Sequence, residues 1–429
     1  MPPTASENVT ALNHLDPQNH HELGPLPACN EEDYPDGGRE AWLVVLGAWC
    51  AMIPSMGLLN TVGVLQAWVS QNQLKEYPEF DIGWIFSVYA FFLYIAGPIF
   101  DAHDARFLIV PGSIGIVTAV ICLSFCEEYY QFFLAFGVLA GLSASCLFTP
   151  AISAIGHWFD KNRALATGIA CTAGGIGGIV FPLIILYLAP IIGYGWAIRI
   201  VAFICAVTGF LACILLRKRL PHNKKAGASI DLKALKDVNY ALTTLAVWLI
   251  EFAVFIPYAY ISSYAIHQGV LPQHAYRLMA LLNTGAIPGR ALPGYVADRF
   301  GYFNVMLITS FTCATFIFAL WLTSGSSEPA ITAFAVVFGF WSGAAISLTP
   351  VCIGQVCKTE DYGKRSGTAF SISSFGALVG IPIAGAIVQA QGGEYEGLII
   401  FAGAAYMAAF GAFFVARLVA GGRDWRTVF

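Results

Sequence analysis

The sequence predicts an all-α integral membrane protein: twelve transmembrane helices in two parallel six-helix repeats, with both termini in the cytosol. Three observations carry that reading. The 429-residue chain is 57% hydrophobic and 11% charged, with a mean hydropathy of +0.68, whereas a soluble domain carries about 25% charged residues. The apolar residues fall in continuous runs of membrane-spanning length, not in the alternating pattern of a barrel. Short motifs of the first half recur in order in the second.

Taken from the N-terminus, residues 1–40 are polar and hold no apolar run of signal-peptide length. They read as a disordered cytosolic tail, in which His14, His20 and His21 are tail residues and not a metal tract. Six helices follow, at roughly residues 43–66, 82–101, 107–125, 131–154, 164–187 and 196–216. A second six lie at roughly 241–265, 275–297, 303–323, 330–353, 366–389 and 398–419. Each is long enough to cross a bilayer with some tilt. The domains are therefore a tail over 1–40, a first bundle over 41–216, a cytosolic loop over 217–239, a second bundle over 240–420 and a tail over 421–429.

Lysine and arginine set the orientation, because cytosolic loops carry the excess. With the N-terminus inside, eighteen of the 22 fall on the cytosolic side, among them Lys161, Arg163, Arg219, Lys233, Lys236, Lys364 and Arg365. Lys75 lies outside, and Arg199, Arg277 and Arg290 lie within helices or at their outer ends. The sequon Asn8-Val-Thr10 is then cytosolic and unglycosylated.

The composition also narrows the chemistry. A net charge of −4 gives no basis for nucleic-acid binding. Eight cysteines, from Cys50 to Cys313, sit in apolar runs, where the thiol behaves as a small hydrophobe; Cys122 and Cys126 lack the further ligands a metal site needs. Gly174, Gly175, Gly177 and Gly178 resemble a phosphate loop by spacing, but no strand precedes them and no Lys-Ser/Thr follows. They read instead as a close helix contact in lipid. With no catalytic or ATP-binding constellation, and neither metal nor cofactor implied, the chain is not expected to be an enzyme.

Three pairs of features recur about 200 residues apart. Thr149-Pro150 matches Thr349-Pro350. Gly97 to Asp101 matches Gly294 to Asp298. Arg163 with Gly174 matches Arg365 with Gly376. Parallel repeats of this kind place a site between two pseudo-symmetric bundles.

Intramembrane charges are the candidate functional residues. Arg290 lies inside helix 8 with no acid one helical turn away, and a cation at that depth costs several kcal/mol unless it faces a partner or a wet cavity. It reads as a binding group for an anion, against a pair with an acid on another helix or snorkelling toward the cytosol. Glu251 is the one carboxylate in the middle of an apolar helix. It is open to three readings: a proton carrier, the partner of Arg290, or a cavity wall. Pro257 is expected to break helix 7, leaving Tyr258, Tyr260 and Tyr264 along a gated path or in an interfacial belt.

Two motifs carry a family resemblance: Pro35-Asp36-Gly37-Gly38 followed by Trp42, and Trp158-Phe-Asp-Lys-Asn-Arg163-Ala-Leu-Ala-Thr-Gly-Ile-Ala170 running on to Gly174 and Gly177. With these the chain resembles the major facilitator superfamily and, more narrowly, the fungal branch of its monocarboxylate porters. The resemblance runs from about Pro35 to the C-terminus. It implies a secondary transporter that alternates access to a central site, in a cell membrane or a vacuolar one. Arg290 matches the family's anion-binding arginine. Asn60 stands where proton-coupled members carry Lys, and Ala286 stands where they carry Asp. The segment Asp101 to Arg106 also lacks the superfamily's usual Arg and Gly, whereas Asp298-Arg299-Phe300-Gly301 is closer to the pattern.

The expected substrate is therefore a small organic anion or carboxylate-bearing metabolite, with export of a fungal secondary metabolite as the leading reading. Uptake or facilitated diffusion of a monocarboxylate or vitamin is the alternative, and a non-transporting membrane sensor is the rival of another class. The substrate-binding set is Arg290, Asn60, Tyr258 and Asn283, with Glu251 as candidate proton site. Asp101, Asp298, Arg299, Arg163 and Arg365 form the gating set. The resemblance implies that Asp298 docks on helix 5, and Asp101 on helix 11, when the inner side is closed.

Overall fold

The computed structural model describes residues 35–95, 105–217, 219, 231–357 and 362–421. Twelve long helices follow one another: α1 (Gly38–Gln71), α2 (Glu79–Leu93), α3 (Ala105–Leu123), α4 (Tyr129–Trp158), α5 (Arg163–Ile192) and α6 (Tyr194–Leu215), then α7 (Val238–His267), α8 (Pro272–Phe300), α9 (Tyr302–Trp321), α10 (Glu328–Gln355), α11 (Tyr362–Ala390) and α12 (Glu396–Gly421). All twelve match the expected order. Most extend beyond the apolar runs at both ends, because polar end turns continue the helix into the interface. The predicted N-terminal tail is correspondingly shorter, since residues 38–40 already belong to α1. Residues 1–34 of that tail with the sequon, Asp101, and the expected end of helix 2 past residue 95 lie outside the described residues.

Ten of the twelve are long and apolar enough to cross a membrane by length and composition. The exceptions are α2, described over 15 residues, and α8, whose polar and proline residues lower its hydropathy. The low hydropathy of α8 has a reason. Asn283, Gly285, Gly289 and Arg290 are buried against other helices rather than facing lipid.

The repeat is visible in the packing. In the first bundle α1 lies against α4, α5 and α6, and α3 against α6; in the second, α7 lies against α10, α11 and α12, and α9 against α12. The two bundles meet along α5 with α8 and along α2 with α11. Glycines make the tightest approaches. A Cβ on Gly177 would sit 2.6 Å from Gly57 Cα, joining α5 to α1, and one on Gly168 would collide with the Arg290 carbonyl, joining α5 to α8. At Gly301, φ is +93°, a left-handed conformation that lets the chain turn from α8 straight into α9.

The expected break at Pro257 does not occur: α7 runs unbroken through it from Val238 to His267. Inside a bundle, neighbouring helices can re-satisfy the backbone that a proline frees.

Candidate substrate site

The middle of the bundle interface is built on the glycines of α5. Without side chains they let α1 and α8 come close enough to lay polar groups on the α5 backbone. Asn60 donates to the Gly174 carbonyl at 2.8 Å. Asn283 donates to the carbonyls of Gly178 (3.3 Å) and Met279 (3.0 Å). Arg290 donates from Nη1 to the Cys171 carbonyl at 2.7 Å. A Cβ on Gly174 would lie 2.6 Å from Arg290 Nη1, and one on Gly178 would lie 2.6 Å from Asn283 Oδ1. The glycine cluster is thus the floor of a polar cradle.

What remains unsatisfied in that cradle defines its chemistry. Arg290 is 0% exposed, and its Nε and Nη2 have no hydrogen-bond partner. Asn60 Oδ1 and Asn283 Oδ1 are likewise buried without a partner. The bonds made by the two amide nitrogens orient these oxygens. The cradle offers unused N–H donors from a guanidinium beside two unused carbonyl acceptors. A buried, half-satisfied cation is costly and is relieved by an anion that takes two parallel hydrogen bonds.

The other sequence-derived residues separate into groups. Tyr258 is buried, lies within electrostatic reach of Arg290, and has its hydroxyl 3.4 Å from Ser342 Oγ. Glu251 does not pair with Arg290: among the described residues it accepts a hydrogen bond from Tyr94 at 3.0 Å, and no ion pair involves it. Tyr264 does not line the cavity described below. It is buried in the second bundle, 2.9 Å from Ser324 Oγ.

Access to the cradle differs at the two ends of the molecule. At the cation-poor end a cavity of about 280 Å³ opens between α1, α2, α7 and α11, with Gln66, Phe80, Tyr260, Ser263 and Gln389 among its walls. Below it Leu59, Val62, Phe86, Phe255, Tyr258 and Met279 close in, leaving a gap of about 20 Å³. This apolar constriction separates the cavity from the cradle.

The cation-rich end is held shut by contacts across the interface. Asp298 at the end of α8 accepts hydrogen bonds from the Ala164 and Leu165 amides, each at 2.9 Å. Those amides are free N–H groups of the first turn of α5, where the helix dipole also favours an anion. Beside them the buried guanidinium of Arg163 stacks 4.1 Å over the Tyr362 ring of α11. Among the described residues, two members of the expected gating set make their contacts within the second bundle. Arg365 lies 3.9 Å from Asp237 within the second bundle. Arg299 is exposed and stacks 4.2 Å over Tyr295, one turn away on its own helix, because its side chain leaves α8 about 100° around the axis from Asp298. Reasoning from sequence missed Tyr94, Tyr362 and Asp36 as contact residues. Their partners lie in distant parts of the chain; Asp36 stood in a signature motif, but nothing in the motif named its partner, and no local pattern marks Tyr94 or Tyr362.

Two six-helix bundles around a buried polar centre, with a cavity leading toward it from one end and interface contacts closing the other, are the architecture of an alternating-access membrane transporter. The chain belongs to the Major Facilitator Superfamily, whose model matches residues 44–354 and 294–427. It is 34% identical to the MFS transporter asaE of Aspergillus flavus over 98% of this chain and 96% of that one. It is 33% identical to the riboflavin transporter MCH5 of Saccharomyces cerevisiae over 92% and 81%. It is 34% identical to the aspyridones efflux protein apdF of Emericella nidulans over 89% and 79%. In fold it matches the crystal structure of the human organic anion transporter MFSD10, with a TM-score of 0.67 at 14% identity, over 88% of this chain and all of that one.

Proposed function

We propose that this transporter moves a small organic anion or carboxylate-bearing metabolite by alternating access, and that its role is export of a fungal secondary metabolite. The observation that carries the anion is Arg290, fully buried with two guanidinium nitrogens unused. Asn60 and Asn283 supply acceptors for hydroxyl or amide donors elsewhere on the same molecule, and Tyr258 stands at the mouth of the cradle. Export is supported by the relatives named as efflux proteins, among them those of aspyridones and fujikurins. The riboflavin transporter among the relatives supports a second reading, uptake of a vitamin-like nutrient.

In this proposal the cation-rich end faces the cytosol, so the cavity of the conformation described faces the outside, with the apolar constriction still covering the cradle. Asp298 on the first turn of α5, with Arg163 on Tyr362, closes the inner side, and rocking of the bundles breaks those contacts. Glu251 is the candidate site for a coupled proton. The cell membrane is the proposed location and the vacuolar membrane the alternative.

The test is transport into proteoliposomes of matched pairs of compounds, each a carboxylate and its methyl ester or amide. The expected result is that the carboxylate is carried and competes, while the neutral analogue does neither. Equal transport of both members of every pair would remove the anion from the proposal.

A further inference from the structure

The motif at Pro35-Asp36-Gly37-Gly38 has no part in the cradle, yet one oxygen of its carboxylate gathers three backbone amides. Asp36 Oδ1 accepts from the amides of Asp160 and Lys161, each at 2.8 Å, and lies 3.4 Å from that of Asn162. The Asp36 amide in turn donates to the Trp158 carbonyl at 3.2 Å, and the Asn162 side chain donates to the Asp36 carbonyl at 3.3 Å. Trp42 packs edge-on against Phe159 at 5.3 Å. The first signature motif is therefore bound to the start of the second.

The place of this grip is what matters. The Asp160–Asn162 turn leads directly into Arg163, Ala164 and Leu165, the first turn of α5, where Asp298 docks from the other bundle. Two carboxylates thus hold one short stretch of amides. Asp36 holds it from its own bundle and Asp298 from the opposite one. They are near enough to repel each other, so the arrangement rests on each having its own set of donors. A turn held at three successive amides has little freedom to tilt, which fixes the direction of the amides that follow at Ala164 and Leu165.

We propose that Asp36 is a positioning residue for closure of the cation-rich end, holding the Asp160–Asn162 turn so that the Ala164 and Leu165 amides face Asp298. This rests on the reading of Asp298 as the inner gate. Asp36 itself touches no substrate.

The conformation of Asp36 allows a clean test. Its φ is +45°, in the left-handed region that glycine adopts without strain and Asn tolerates. Asp36→Gly removes the carboxylate and leaves the backbone at ease, while Asp36→Asn keeps an acceptor oxygen. The readout is labelling of a single cysteine placed at the inner end of the cradle by an impermeant reagent from the cytosolic side, per molecule of protein delivered to the membrane. A purely structural defect lowers the amount delivered but not this ratio.

Asp298→Asn and Asp36→Gly should each raise inner accessibility, on the order of tenfold for loss of a charge-assisted contact. Asp36→Asn should restore much of the wild-type value. The double variant should be no more accessible than Asp298→Asn alone, because Asp36 acts through that contact. If Asp298→Asn has no effect, the gate reading and this proposal fall together. If Asp298→Asn acts and Asp36→Gly does not, or if the two effects multiply, the gate stands and the role given to Asp36 is wrong. Should poor delivery of Asp36→Gly limit the labelling, hydrogen exchange of that variant purified in detergent decides. Faster exchange at Ala164 and Leu165 as well as at Asp160 and Lys161 supports the proposal, and a change confined to the turn overturns it.

Discussion

Tyr94, at the end of α2, donates a 3.0 Å hydrogen bond to the carboxylate of Glu251 on α7. The bond joins the two bundles away from the α5–α8 contact, in a setting where Tyr94 also stacks on Phe370 of α11 at 5.2 Å. A motion that separates the halves here must leave the carboxyl group without this donor or exchange it for another. This is the contact on which the proton role proposed for Glu251 can be tested.

Glu251→Gln keeps an oxygen to accept from Tyr94 and removes titration. If protons are carried at this position, the variant should fold at near wild-type yield while its transport no longer varies with pH. Proteoliposome transport measured across a pH series checks this, and a variant as pH-dependent as wild type excludes Glu251. Tyr94→Phe instead leaves a buried acceptor without its donor and should cost about 1–3 kcal/mol, read as a lower melting temperature in detergent.

Arg290→Ala should weaken binding of an anionic substrate about ten- to a hundred-fold, the worth of a desolvated charge-assisted contact of roughly 1.5–3 kcal/mol. Arg290→Lys should fall between the two, since an ammonium cannot make the parallel pair of bonds a guanidinium makes. Substrate affinity of the purified, folded variants is the measurement. Unchanged affinity in Arg290→Ala would take Arg290 out of the site.

Gly178→Ala places a methyl group 2.6 Å from Asn283 Oδ1 and 2.7 Å from Asn60 Cβ. Both cradle amides must shift, so transport should fall more than stability does. Gly168→Ala meets the backbone carbonyl of Arg290 instead. Backbone yields less readily than a side chain, and overpacking of this kind costs about 1–3 kcal/mol. The expected contrast is a lower melting temperature for Gly168→Ala, with folded yield and transport measured side by side for the two.

Lys75 and Ser326 are exposed at the cation-poor end and Lys233 at the cation-rich end. Single cysteines at the first two should react with an impermeant reagent in sealed cells, and one at Lys233 only after the membrane is opened. Labelling of Lys233→Cys in intact cells would reverse the orientation.

The number of helices, their order and the pairing of the two halves were legible in the sequence, because each rests on a property of a single segment. A run of apolar residues must form a helix in lipid to satisfy its own backbone, and a repeated motif marks a repeated fold. Arg290 and Glu251 were visible for the same reason: a charge in an apolar helix needs an explanation before any partner is known. The tertiary structure decided the partners. Glu251 went to Tyr94 rather than Arg290, Arg365 to Asp237 within its own bundle, and Arg299 to the ring of Tyr295, while Asp298 and Asp36 met on one stretch of amides. A hydrogen bond across a bundle interface depends on how two helices are rotated and how deeply they sit against each other. Here the glycines of α5 set that approach, and their effect appears only when α1 and α8 are laid upon them.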